Sequence, residues 1–204
     1  MSIADIPAPT RIGPECNGMH VLPNEYDAVR DWDDGYRYEL VNGVLIVTPP
    51  AGAGERSPND DLGYFIRTYQ ESDPNGHIID DTLPEQEIKT GDNRRRADRA
   101  IWIGLGRQPD PNNDVPTIAV EFVSQSSRDR HRDYVEKRRE YAKAGVLEYW
   151  IIDRFRREMT VFRGTDEELV VPEDQTYTTD LLPGFELPLG RLLRMADRYR
   201  DADS

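Results

Sequence analysis

Glu39, Asp98, Glu121 and Lys137 lie far apart in the chain, yet their side chains are the types that can hold a hard cation and orient a water beside it. Glu121 lies in Thr117-Ile-Ala-Val-Glu-Phe-Val123. Strand alternation puts Ile118, Val120 and Phe122 on one face and Ala119, Glu121 and Val123 on the other. Both faces are largely apolar, the pattern of a central strand covered on both sides. A carboxylate there loses hydration, which is costly without a cationic partner. That partner is either an arginine or lysine, or a metal ion; the strand alone admits both. Asp98 opens Asp98-Arg-Ala-Ile-Trp-Ile103, where an acidic residue is also common as the remnant of a turn. Glu39 sits between Tyr38 and Leu40 in a strand, a position that could simply face solvent. Lys137 falls at the edge of the helical stripe Tyr134, Val135, Tyr141 and Ala142, where a lysine usually buries its stem and keeps its head wet. Its helix directly follows the Glu121 strand, however, so a lysine turned back towards the sheet would reach that carboxylate.

Two or three carboxylates on adjacent strands with a lysine suit metal-assisted phosphodiester hydrolysis. Magnesium prefers oxygen ligands and takes one or two carboxylates, leaving waters and substrate phosphate to complete its octahedron. The bound metal acidifies a water and stabilises charge on phosphoryl oxygens, and a nearby lysine offsets developing negative charge. A glycosidase built on a carboxylate pair is the weaker reading, because it leaves Lys137 and the basic residues described below without a task.

The elements that must position these residues can be read from periodicity. Residues 1–23 read as a poorly ordered leader, rich in proline and glycine to residue 19. A short helix is expected over Asn24–Asp34. Asn42-Gly43 between Tyr36–Val41 and Val44–Val47 marks a tight hairpin, since both central residues of a type I′ turn need positive φ. Leu62, Phe65, Ile66 and Tyr69 at helical spacing predict a helix over Asp60–Gln70. Strands are expected at His77–Asp80, Glu85–Lys89, Asp98–Ile103 and Thr117–Val123, with a loop over Gly104–Pro116. A helix follows from Arg128 to Ala144, with Ser126 and Asp129 as its capping box and Gly145 at its end. Leu147–Ile152 and Glu158–Arg163 form a hairpin, and a strand near Phe185–Leu189 precedes a short helix from Arg191. Strands before, between and after two main helices indicate an α/β or α+β domain over residues 24–195, with a tail at 196–204.

Composition narrows the class. The single cysteine, Cys16, excludes an internal disulfide, and no Cys/His cluster has zinc spacing. Met1–Pro14 has no apolar signal-peptide core, and no apolar run approaches the ~20 residues of a membrane span. A soluble cytoplasmic protein without a membrane partner is expected. The net charge of -13 opposes simple electrostatic DNA binding. It is unevenly spread: residues 94–163 hold 16 basic against 11 acidic side chains, and the remainder 10 against 28. This basic island is compatible with ordinary solvated surface and also permits a polyanionic substrate.

Several of these segments together resemble the Uma family of restriction-endonuclease-like proteins, within the PD-(D/E)xK nuclease superfamily. The likeness is carried by Glu121-Phe-Val-Ser-Gln-Ser-Ser127, by Lys137 to Tyr141, and by Ala144-Gly-Val-Leu-Glu-Tyr-Trp-Ile-Ile-Asp153. Arg37-Tyr-Glu-Leu-Val-Asn-Gly43 matches the family's opening hairpin and Leu182-Pro-Gly-Phe-Glu-Leu187 its closing segment. The resemblance implies a restriction-endonuclease-like core, a mixed β-sheet flanked by helices, and Mg²⁺-dependent phosphodiester cleavage with Mn²⁺ able to substitute. It implies Asp98 and Glu121 as metal ligands, the Val123 carbonyl as a further one, and Glu39 as an additional acid. Val123 stands where the superfamily usually has its lysine, which the Uma pattern moves to the following helix, here Lys137. Two departures are visible: Ala97 replaces the proline of the motif, and Pro58-Asn59-Asp60 lacks a histidine that many relatives carry.

The function implied is a metal-dependent endonuclease acting on nucleic acid, DNA first, with Arg94–Arg99 and Arg128–Arg132 available to the phosphate backbone. Enzymes that cut both strands often act as homodimers. The alternative is a nuclease-fold protein without catalysis that serves as a protein-interaction module. It draws on the stretch Asp166–Glu186, which carries seven carboxylates and no basic residue.

Overall fold

The computed structural model describes residues 11–124 and 131–199. Strand β1 (Arg11–Ile12) and a 3-10 turn (Pro14–Cys16) lead to helix α1 (Pro23–Ala28) and strand β2 (Asp31–Trp32). The hairpin β3 (Arg37–Val41) and β4 (Val44–Thr48) is followed by the long helix α2 (Ala53–Ser72). Strands β5 (Ile79–Thr90), β6 (Asn93–Ile103) and β7 (Ile118–Phe122) precede a helix whose described part includes a π-helical turn (Arg132–Lys137) and continues as α3 (Arg138–Ala144). Then come β8 (Glu148–Asp153), β9 (Glu158–Arg163), β10 (Glu167–Pro172), β11 (Thr176–Thr179), β12 (Leu182–Pro188) and helix α4 (Leu189–Asp197).

Eight of these strands form one mixed sheet in the order β10-β9-β8-β7-β6-β3-β4, with β5 paired to β6 off this path. Only β7 and β8 within it run parallel, joined by the crossover through α3. The alternation read from the β7 sequence is what the packing shows. Ile118, Val120 and Phe122 join a core with Leu62 and Ile66 of α2 and Leu192 and Leu193 of α4. Ala119 and Val123 face the opposite layer with Tyr141 of α3, Tyr149 and Ile151. Asn42 and Gly43 have φ of 52° and 74°, the paired left-handed conformations of the expected hairpin turn. Gly145 ends α3 with its N–H on Tyr141 O at 3.1 Å, which returns the chain to start β8 beside β7.

The feature that makes room for a site is a fork along β6. One edge of β6 pairs with β5 over almost its whole length. The other edge is shared: β3 meets it at Leu40↔Arg94, and β7 meets it from Arg99 to Ile101. Between these contacts the strand also changes the layers it serves. Ala97 packs in the α3 layer, whereas Arg99 reaches Asn59 of α2 at 2.7 Å. Asp98 is the residue at the switch.

Several expectations are corrected. Asp98 does not head a strand but lies in the middle of β6, which begins at Asn93. The triplet Arg94–Arg96 tolerates a strand because its first two guanidinium groups have carboxylate partners: Arg94 bonds Asp27, and Arg95 bonds Glu140 and Glu136. Residues 77–89 form a 3-10 turn and one long strand rather than two short strands. Helix α2 starts seven residues earlier than the apolar spacing suggests, through a segment whose buried residues are Gly54, Pro58 and Asn59. Helix α1 is shorter than expected, and Trp32 belongs to β2. Residues 11–23, expected to be irregular, pair β1 with β2 and bury Ile12, Cys16 and Val21 against Tyr38, Leu40 and Leu45. Strand β10 was unanticipated in its acidic sequence. The Ser126–Asp129 capping box lies outside the described residues. Among the described residues, no helix is long and apolar enough to cross a membrane.

One buried carboxylate belongs to the scaffold. Glu148 accepts from Trp150 Nε1, Tyr177 OH, Thr179 Oγ1 and Arg163 Nε, all between 2.8 and 2.9 Å. It thereby ties β8 and β9 to the β11–β12 hairpin. Removing it strands several buried donors, so Glu148→Ala should cost about 3–5 kcal/mol in urea unfolding. A loss under about 1 kcal/mol would show that this network does not hold the hairpin in place.

Candidate active site

Glu39, Asp98, Glu121 and Lys137 converge at the fork, and all four are buried. Lys137 is the hub. Its Nζ lies 2.7 Å from Glu121 Oε1, 3.4 Å from Glu39 Oε1 and 3.7 Å from Asp133 Oδ1. It also donates to the Arg96 carbonyl at 2.7 Å, while the Arg96 N–H donates to Glu39 Oε1 at 2.8 Å. The main-chain groups of Arg96 that the diverging strands leave open are thus satisfied by two site residues. Asp98 is fixed as firmly: its Oδ2 accepts the Phe122 N–H at 2.7 Å and its carbonyl accepts Asn59 Nδ2 at 2.8 Å. Its Oδ1 accepts from Arg37 Nη1 at 3.1 Å.

The π-helical turn helps aim the helix side chains. Asp133 and Lys137, one turn apart, both point into the sheet, and such turns recur at functional sites. Tyr141, a further turn along, donates to Glu121 Oε1 at 3.3 Å. The resulting cleft, ≈ 240 Å³, is walled by β3, β6, β7 and the π-turn, with Pro49, Pro50, Gly52 and Glu55 at its rim.

Burial sets the electrostatics. It raises Glu121 well above the usual carboxylate range; Lys137 pulls against this, and Asp98 and Asp133 add to it. Asp133 is raised for the same first reason, against Lys137 and Arg132. Burial would raise Glu39 too, but Lys137, Arg132 and the Arg96 N–H outweigh it and hold Glu39 at about 2. Lys137 should lose basicity on burial, yet Glu121, Glu39 and Asp133 drive it above its ordinary value, so it stays protonated. Four carboxylates thus share three cations, Lys137, Arg37 on Asp98 and Arg132 beside Asp133 and Glu39, so one negative charge is left unbalanced when Glu121 is ionised.

The donor set is all oxygen, which suits a hard cation. Among the described residues no three His, Cys, Asp or Glu side chains form a ready-made metal cage. Magnesium does not need one, because water and phosphate supply most of its ligands. Val123, expected to offer its carbonyl, is not part of the cleft wall; its side chain is buried in the α3 layer and its N–H bonds Ile152 O. Phe122 is the residue of that strand that faces Asp98.

In the basic island, most of the arginines of 94–99 serve the scaffold rather than the phosphate cradle that the sequence suggested. Arg94, Arg95 and Arg99 are buried and tied to Asp27, Glu140 and Asn59 respectively. Arg96 donates to Glu85 O. Arg132 does reach the cleft, and Arg128 to Arg130 lie outside the described residues. Sequence reasoning missed Asp133, Arg37 and Asn59. Asp133 carries a signal in its spacing of four residues from Lys137; Arg37 and Asn59 carry none, since only the fold brings them to Asp98.

Comparison with known proteins bears on the fold and the family. The structure resembles one described as "Crystal structure of a putative nuclease belonging to DUF820 from Anabaena variabilis ATCC 29413", with a TM-score of 0.69 and 16% sequence identity. The match covers 86% of this chain and 99% of that one, and at this identity it speaks for the fold. No curated protein matches the sequence. A family model described as "Putative restriction endonuclease" matches residues 23–190, which span β3, β6, β7 and α3 alike, and the chain belongs to that family, Uma2.

Proposed function

We propose that this protein is a Mg²⁺-dependent endonuclease that hydrolyses phosphodiester bonds of nucleic acid, DNA in particular. The observation that carries the reading is the set of four buried carboxylates, Glu39, Asp98, Glu121 and Asp133, gathered in one cleft with Lys137 at its centre and Arg37 and Arg132 beside it. Ionising all four is unfavourable unless a further cation joins those three. Asp98 and Glu121 would hold that cation, which when bound supplies an acidified water and charge stabilisation at phosphorus.

The chain's own residues then have distinct tasks. Lys137, kept protonated by its neighbours, can donate to the attacking water or to a phosphoryl oxygen and offset the charge that develops there. Glu39 helps to fix the lysine by pairing with the ammonium at 3.4 Å while it accepts the Arg96 N–H. Tyr141 and Asp133 limit the directions that Glu121 and Lys137 can take. Arg37 of β3 and Arg132 of the π-turn, which line the cleft from different elements, can meet a phosphate. The family's description supports a DNA substrate. An interaction module would account for edge strand β10, where Leu169 and Val170 are exposed beside Glu167 and Glu168. It has no use for carboxylates buried around a lysine.

Three outcomes are expected. Titration calorimetry should show Mn²⁺ binding by the native protein and none by the Asp98→Asn/Glu121→Gln double variant; equal binding by both would place the metal elsewhere. Because Glu121 is held above the usual carboxylate range, binding at neutral pH should release protons and strengthen as pH rises. Repeating the titration in buffers of different ionisation enthalpy measures that release, which Glu121→Gln should diminish. Lys137→Met should retain Mn²⁺ yet lose about 10²–10³-fold in kcat on a plasmid or oligonucleotide substrate. Cleavage at the native rate in that variant would remove the lysine from the mechanism.

A further inference from the structure

Asp98 is the ligand whose two carboxylate oxygens are both already engaged, and they are held in different ways. Oδ2 accepts from the main-chain N–H of Phe122, which belongs to the sheet. Oδ1 accepts from Arg37 Nη1 at 3.1 Å, and a side chain can leave. A cation arriving at Oδ1 meets that guanidinium first.

Arg37 has somewhere else to go. The same Nη1 lies 3.6 Å from Glu85 Oε1 on β5. Its Nε donates to Pro49 O at 3.3 Å, which pins the side chain further back and leaves the terminal nitrogen to swing between the two carboxylates. Glu85 has two unexplained properties. Its φ of 51° is in the left-handed region that a glutamate rarely occupies, at the step of β5 opposite Asp98. Its Oε2 is shut off from solvent and accepts no hydrogen bond. A strained residue presenting a buried acceptor without a donor is accounted for if the donor arrives in a second state of the site.

Resting on the metal-dependent reading above, we propose that Arg37 is an exchangeable guard of the cation site, bonded to Asp98 while the site is empty and transferred to Glu85 when a cation binds. In the first state it neutralises a ligand that would otherwise add to the excess charge. In the second it remains on the cleft wall, where a substrate phosphate can use it.

The test is Mn²⁺ titration calorimetry on the full chain, with Arg37→Met, Glu85→Gln and the double variant. Arg37→Met should bind about tenfold more tightly, because the competitor is gone. Glu85→Gln should bind about tenfold more weakly, because Arg37 has lost its alternative partner. The double variant should match Arg37→Met, since Glu85 acts only through the arginine. If Glu85→Gln weakens binding equally in the Arg37→Met background, Glu85 is no more than a nearby charge and the exchange is overturned. Unchanged or weaker binding by Arg37→Met overturns it as well. Arg37→Gln supplies the same comparison if thermal melting shows the methionine variant unfolded. Absence of Mn²⁺ binding by the native protein would defeat the metal reading and this inference together. Native binding with purely additive variants would defeat this inference alone.

Discussion

The main chain of Arg96 is the point on which the site depends. Two strands lie along the same edge of β6, and neither covers this residue. Its exposed N–H and carbonyl cannot remain unpaired in the interior, because each would carry the desolvation cost of a lost hydrogen bond. Glu39 and Lys137 fill those vacancies. Once they do, an acid from β3 and a base from the π-turn are locked within reach of each other, and Glu121 of β7 completes the contact. The fork thus converts a defect in backbone pairing into a reason for charged side chains to be buried together.

The same economy governs the basic island. A chain of net charge -13 with a cluster of arginines invites an electrostatic account of substrate binding. Instead most of that cluster stitches layers together: Arg94 to the loop end of α1, Arg95 to α3 and Arg99 to α2. What lines the cleft among the described residues is a small number of cations, Arg37, Arg96, Arg132 and Lys137. For the substrate proposed above, this means positioning by a few placed groups rather than long-range attraction.

How much was legible in the sequence follows from the range of each interaction. The Asn42-Gly43 turn, the two faces of β7 and the approach of Lys137 to Glu121 depend on local periodicity and on an adjacent helix, and all were readable. The course of β6 was not, because Arg94 and Arg95 resemble loop residues until Asp27 and Glu140 are seen to neutralise them. The early start of α2 was hidden by a glycine, a proline and an asparagine that are buried without apolar spacing. Asn59 and Arg37 act on Asp98 from 39 and 61 residues away, a relation no local pattern encodes.

That dispersion has a consequence for biosynthesis. Glu39 leaves the ribosome early, Lys137 far later, and the carboxylates between them belong to strands that need partners on both sides. No fragment that ends before the π-turn contains the site, and no partly folded intermediate lacking the docked helix presents a lysine to Glu121. Competence therefore appears only at the end of cooperative assembly and disappears with the first local opening of β3 or the π-turn. The cluster is thus a property of the whole domain and of no single segment of the emerging chain.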